Sequence, residues 1–194
     1  MKLSADLICD SPEGWIGTVM ADFDAFLQDH ANCERKASSM AMSFVAKYPD
    51  RTEILPELIE TAVEELEHFR DVYAIMEARG VQLPHAIGED LYVKRLLQAC
   101  RTGRDERFID RMLLASVIEC RGAERFRLVY EALPPGNLKD FYHRLWASEA
   151  KHGHIFVKML THYYPMESFY PRLLELVALE AEVLNGLELK AALH

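Results

Sequence analysis

Glycine and proline are few in this 194-residue chain, nine and eight respectively, so breaks in regular structure are sparse. β-branched residues are scattered and show no sustained alternation, which excludes a sheet-based fold. No apolar run approaches the roughly 18–20 residues needed to span a bilayer, so a membrane protein of the helical type is not expected. The four cysteines (Cys9, Cys33, Cys100, Cys120) include no C-x-x-C pair. They are expected as free thiols in a reducing compartment, which points to the cytoplasm. The segment from Met1 to Leu7 lacks an apolar signal region, and Asp6 and Asp10 argue against a transit peptide. Positive charge is also short, with 22 Lys+Arg against 31 Asp+Glu and a net charge of −9. That balance disfavours nucleic acid as a partner.

The deficit of positive charge is uneven. Residues 89–158 hold 13 Lys+Arg against 10 Asp+Glu, while the remainder holds 9 against 21. Arg95, Arg101, Arg104, Arg107, Arg111, Arg121, Arg125 and Arg127 concentrate in the middle of the chain, with Lys139, Arg144, Lys151 and Lys158 after them. By composition alone this is a solvated, ion-paired helix surface. Tyr92, Phe108, Phe141 and Tyr142 are interleaved with it, and such residues are more often core than a platform for bases.

The few breakers divide the chain into helices. Pro49-Asp50 separates a stretch at 13–47 from one at 53–79. Gly80, Pro84 and Gly88 mark a connection containing a short amphipathic segment at 89–101, which Gly103 ends. A long helix is expected at 105–132, Pro134-Pro135-Gly136 makes a turn, a further helix spans 137–163, and a last one occupies 169–190. The chain is long enough for one domain, residues 1–194, and too short to require two.

Against this background two Glu-x-x-His pairs stand out, Glu65–His68 and Glu149–His152. Glu34 precedes Glu65 by 31 positions and Glu119 precedes Glu149 by 30, so each of the four long helices carries one of these acids. A spacing of three puts both members of a pair on one helix face, able to hold one metal ion. Helical periodicity gives every acid apolar or small neighbours: Leu27, Ala31 and Ala41 near Glu34, Leu58, Ala62 and Val72 near Glu65, Met112 and Phe126 near Glu119, Tyr142 and Phe156 near Glu149. Four carboxylates on core faces are prohibitively costly unless neutralised. Two divalent ions supply that neutralisation, and imidazole with carboxylate suits iron or manganese. A Glu from each of two helices and a Glu-x-x-His from each of two others is the ligand set of a two-metal carboxylate centre in a four-helix bundle. Glu64, Glu67 and Glu124 compete for these positions but fall on polar or arginine-rich faces. His30, His85, His143, His154, His162 and His194 lack a partner set and are expected at the surface or as caps, and Cys33 and Cys120 as packed thiols.

These residues resemble the ferritin-like di-iron carboxylate superfamily, and within it the tRNA hydroxylase family MiaE. The likeness is carried by His30-Ala31-Asn32-Cys33-Glu34-Arg35-Lys36-Ala37-Ser38, Glu64-Glu65-Leu66-Glu67-His68-Phe69, Ile118-Glu119-Cys120-Arg121-Gly122-Ala123-Glu124-Arg125-Phe126 and Ser148-Glu149-Ala150-Lys151-His152. The resemblance implies an all-α, ferritin-like four-helix bundle with an extra short crossover helix and a C-terminal helix. It implies a single di-iron domain that uses O2 to hydroxylate the isopentenyl group of 2-methylthio-N6-isopentenyladenosine at position 37, in the anticodon loop of tRNA. The metal ligands would be Glu34, Glu65, His68, Glu119, Glu149 and His152, with no catalytic residue beyond them. Electrons would come from an external reductase, since the chain has no flavin or nicotinamide fingerprint. A monomer or dimer is expected rather than a cage. Two other classes fit the pattern less well, namely a ferritin-like protein that oxidises and stores iron or removes peroxide, and a metal-free helical interaction module.

Overall fold

A computed structural model of the chain describes residues 3–85 and 88–194. Met1 and Lys2 of the expected N-terminal segment, and Ala86 and Ile87 of the expected 80–104 connection, lie outside the described residues. The described residues contain seven helices and no strand: α1 (Trp15–Ala21), α2 (Phe23–Lys47), α3 (Leu55–Arg79), α4 (Leu91–Gln98), α5 (Arg104–Ala132), α6 (Asn137–Leu160) and α7 (Met166–Asn185).

The boundaries follow local chemistry. The stretch expected as one helix from 13 to 47 is broken at Asp22, whose side chain accepts a hydrogen bond from the Ala25 amide at 3.1 Å and starts α2 afresh. Pro56 lies in the first turn of α3, where its missing N–H costs nothing, and Gly80 closes the helix at φ +72°, a conformation that side chains with a Cβ resist. Asp90 caps α4 by accepting from the Val93 amide at 2.9 Å. α7 begins at Met166 rather than 169, and Pro171 lies inside it. The Ser168 amide and hydroxyl both donate to the Pro165 carbonyl and hold that earlier first turn. It ends at Asn185 rather than 190, because the Gly186 amide turns back onto the carbonyls of Glu182, Val183 and Leu184.

The chain divides into two compact units. One is built on α2 and α3, a pair of packed helices, with residues 190–193 alongside. There the Leu193 amide donates to Asp29 at 2.7 Å. The other comprises α4 to α7 with the N-terminal segment up to Ile16 and His194. In it α5 packs along α6, and α7 packs on α4 and α5. Phe108, Phe126, Tyr142 and Phe156 are buried in this unit, each large apolar side chain contributing about 1.5–3 kcal/mol.

This second unit is also tied by a buried polar network. Arg121, fully buried, donates through Nε and Nη2 to Glu180 of α7 at 2.8 and 3.1 Å, and Tyr92 of α4 donates its hydroxyl to the same carboxylate at 3.0 Å. The remaining Arg121 donors reach the Cys9 carbonyl at 2.9 Å and Glu124 at 3.1 Å. Burial, and then the Glu180 charge, push the Tyr92 hydroxyl well above its ordinary pKa. A second knot forms at Asp110, which accepts from the Arg101 amide and from the guanidinium groups of Arg101 and Arg172. Burial opposes the charge of Asp110, but those hydrogen bonds outweigh it and hold the carboxyl below its usual range. Several arginines that looked like a surface in the sequence are therefore internal ties.

Candidate metal centre

In the α2–α3 unit, Glu34 comes from α2 and Glu65 with His68 from α3. Glu34 and Glu65 are buried, and the His68 side chain is 16% exposed. One donor atom from each lies within 4.8 Å of the other two. The register that brings them together is held by Ser38, one turn past Glu34, whose hydroxyl donates to the Ala62 carbonyl, one turn before Glu65, at 2.7 Å.

The α5–α6 pair repeats the arrangement. Glu119 comes from α5 and Glu149 with His152 from α6, all three are buried, and their donor atoms also lie within 4.8 Å of one another. Here Ser116, one turn before Glu119, donates to the Gly153 carbonyl, one turn past Glu149, at 2.5 Å. Each helix pair thus has one serine-to-carbonyl hydrogen bond a turn away from its acids. The helices of the second pair approach closely at Gly153, where a Cβ would sit 2.6 Å from Cys120 Sγ.

The donor spacings fit a shared ion. His68 Nδ1 lies 3.5 Å from Glu65 Oε2 and 3.7 Å from Glu34 Oε2, and His152 Nδ1 lies 3.1 Å from Glu149 Oε2. Two donors bound at about 2.1 Å and subtending roughly 90–120° at one ion stand about 3.0–3.6 Å apart. Each triad carries two carboxylates and one imidazole, so a single divalent ion neutralises it. All donors are oxygen or imidazole nitrogen, a set suited to iron or manganese rather than to a thiolate-bound structural zinc. The neighbouring thiols lie outside both sets. Cys33 donates to Asp29 at 3.7 Å, and burial pushes Cys120 up to about 11, which makes it a poor thiolate. The four cysteines form no disulfide, and Cys100 alone of them is buried.

The competing acids are placed elsewhere. Glu67 is exposed and Glu64 half-buried on α3, while Glu124 accepts from the Ser11 amide, the Ser11 hydroxyl and Arg121. One histidine was missed by sequence reasoning. His30, expected at the surface or as a cap, is fully buried and donates from Nε2 to Glu34 Oε1 at 2.6 Å. Its position four residues before Glu34, on the same helix face, was the available signal. The aromatics interleaved with the arginines (Tyr92, Phe108, Phe141, Tyr142) are all core. The less buried rings beside the basic residues are instead Tyr130, His143 and Trp146, which lie against one another with centroids 5.0–6.0 Å apart.

Comparison with known proteins gives a consistent picture. The family described as tRNA-(MS[2]IO[6]A)-hydroxylase (MiaE) matches residues 2–194. The chain is 34% identical to a tRNA 2-(methylsulfanyl)-N(6)-isopentenyladenosine(37) hydroxylase of Pseudomonas putida, over 100% of this chain and 93% of that protein. It is 27% identical to the protein of the same description from Salmonella typhimurium, over 75% of this chain and 72% of that one. Among solved structures it is similar to Protein 43 with aldehyde deformylating oxygenase activity from Synechococcus, at 33% identity and a TM-score of 0.89, covering 95% of this chain and 92% of the other. The all-α, ferritin-like fold that the resemblance implies is the one observed.

Proposed function

The chain belongs to the MiaE family of tRNA hydroxylases, and from that premise we propose the following division of labour among its residues. The enzyme is an O2-dependent hydroxylase acting on the isopentenyl group of 2-methylthio-N6-isopentenyladenosine at position 37 of tRNA. Glu34, Glu65 and His68 hold one iron ion, and Glu119, Glu149 and His152 hold a second, with manganese as the alternative ion. The whole chain works as one catalytic domain, in keeping with a family match that runs from residue 2 to residue 194. It acts in the cytoplasm as a monomer or dimer rather than a cage.

Iron held there would supply, with O2, the oxidising power needed to hydroxylate an allylic C–H bond of the isopentenyl group. The protein's own part is positional and electrostatic. Ser38 and Ser116 hold the register of each helix pair, so the acids stay where they neutralise a bound ion. His30 holds the Glu34 carboxylate by one oxygen and leaves the other for the metal. Burial of five of the six ligands keeps bulk water from the donor atoms. Electrons come from an external reductase, and the modified adenine reaches the buried donors only when turned out of its stack.

The observation that carries this reading is the duplicated buried triad in a chain matched over its length by one hydroxylase family. The test is mass spectrometry of nucleosides from substrate tRNA incubated with iron-loaded, reduced protein and O2. The expected product is the isopentenyl nucleoside heavier by one oxygen atom. An unchanged nucleoside profile from iron-loaded protein would sink the substrate assignment while leaving the metal ligands standing.

A further inference from the structure

An acidic protein that acts on tRNA needs a local surface for phosphate, and the outer face of α6 is built for one. Arg144, Lys151 and Lys158 recur at intervals of seven, two helical turns and roughly 10 Å apart along the axis, and all three are exposed. His143 and His154 are exposed on the same side. Between Phe141 and Met166 the only acid is Glu149, which is buried on the opposite side of the helix with His152. The nearest acid on the outer face is Asp140, in the first turn.

On a different side of α6, with Trp146 about 160° round the helix from Arg144, lies the ring cluster already noted. Tyr130 and Trp146 are half-buried, near-parallel at 28° and 6.0 Å apart, with His143 5.0 Å from Tyr130. The Lys139 ammonium sits over the Tyr130 ring at 4.8 Å. A row of exposed cations along one helix face is suited to tracking a sugar–phosphate backbone, and the rings stand apart from that row.

We propose that the outer face of α6, through Arg144, Lys151 and Lys158, is the surface on which the tRNA sugar–phosphate backbone docks. This rests on the tRNA reading above and deepens it by naming the partner's contact face. The substrate backbone then runs along the back of the helix that presents Glu149 and His152 inward.

The test is binding of substrate tRNA by the full-length chain across a salt series, which requires no turnover. For Arg144→Glu/Lys151→Glu/Lys158→Glu the dissociation constant should rise about 100-fold or more at low salt, and the slope of log affinity against log salt should flatten by about 2–3. Lys151→Arg/Lys158→Arg should bind as the parent does, which separates lost charge from lost packing. Parent-like affinity and slope in the triple glutamate variant, with an unaltered melting curve, would overturn the proposal. So would a basic face that binds anionic phospholipid vesicles in preference to tRNA. A parent that binds tRNA through this face yet makes no hydroxylated nucleoside leaves the docking face intact and refutes the hydroxylase reading. A triple variant that turns over tRNA with unchanged KM does the reverse.

Discussion

α3 and α6 carry the same motif on their inner faces and opposite charge on their outer ones. Glu65–His68 and Glu149–His152 are placed alike, each beside a glutamate from the preceding long helix and a serine-to-carbonyl hydrogen bond one turn away. Outward, α3 presents Glu60, Glu67 and Asp71 with Ile59, Val63 and Leu66, whereas α6 presents Arg144, Lys151, His154 and Lys158. The inner faces answer to one chemistry, so they converge. The outer faces answer to different neighbours, so they diverge. A net charge of −9 averages the two and hides a face suited to RNA.

The likeness of the inner faces is broken most directly at the histidines. His152→Ala and His68→Ala should each lower bound iron by about one ion per chain and cut hydroxylation at least about a hundredfold, since even residues supporting a ligand are worth 10–100-fold. Elemental analysis and product assay on the two variants check this together. If one variant kept full iron and full activity, the two triads would not be equivalent.

The helices and the faces that bury the acids were legible because periodicity is local. Leu27, Ala31 and Ala41 around Glu34, or Tyr142 and Phe156 around Glu149, mark an inward side without any knowledge of what lies opposite. Asp22 was overlooked because an N-cap inside an apolar-periodic stretch looks like one more polar position. The arginines were opaque for a different reason. Whether Arg121 meets solvent or Glu180, 59 residues away, depends on packing and not on its neighbours in sequence. His30 was opaque in part, since its proximity to Glu34 was visible but its burial was not.

The inward and outward basic residues should therefore fail differently. Arg121→Met leaves Glu180 buried without its partner, and loss of one member of such a pair costs about 3–5 kcal/mol of stability. Denaturant unfolding should show that loss, where the outward α6 substitutions should leave the stability within about 0.5 kcal/mol of the parent. Equal destabilisation by both would mean that α6's outer face is structural. His30→Ala sharpens the comparison of the two triads, because His30 lies four residues before Glu34 and donates to its carboxylate, whereas the residue four before Glu119 is Ala115. Metal titration should show weaker affinity, by about 10–100-fold, for one of two ions only. Equal weakening of both would sink the assignment of His30 to a single triad.

The smallest effect belongs to the acidic face. Glu60 and Glu67 lie on the exposed side of α3, so neutralising them removes local repulsion of phosphate without adding any contact. At physiological ionic strength the screening length is about 8 Å, which confines their influence to their immediate surroundings. Glu60→Gln/Glu67→Gln should therefore change tRNA affinity by less than about twofold at that salt and leave the salt slope where it was, since no counterion release is gained or lost. Lowering the salt should widen the difference modestly in favour of the variant. A change at 0.15 M as large as that from reversing α6's charges would mean that α3 borders the RNA, and the contrast between the two outer faces would no longer divide binding from non-binding surface.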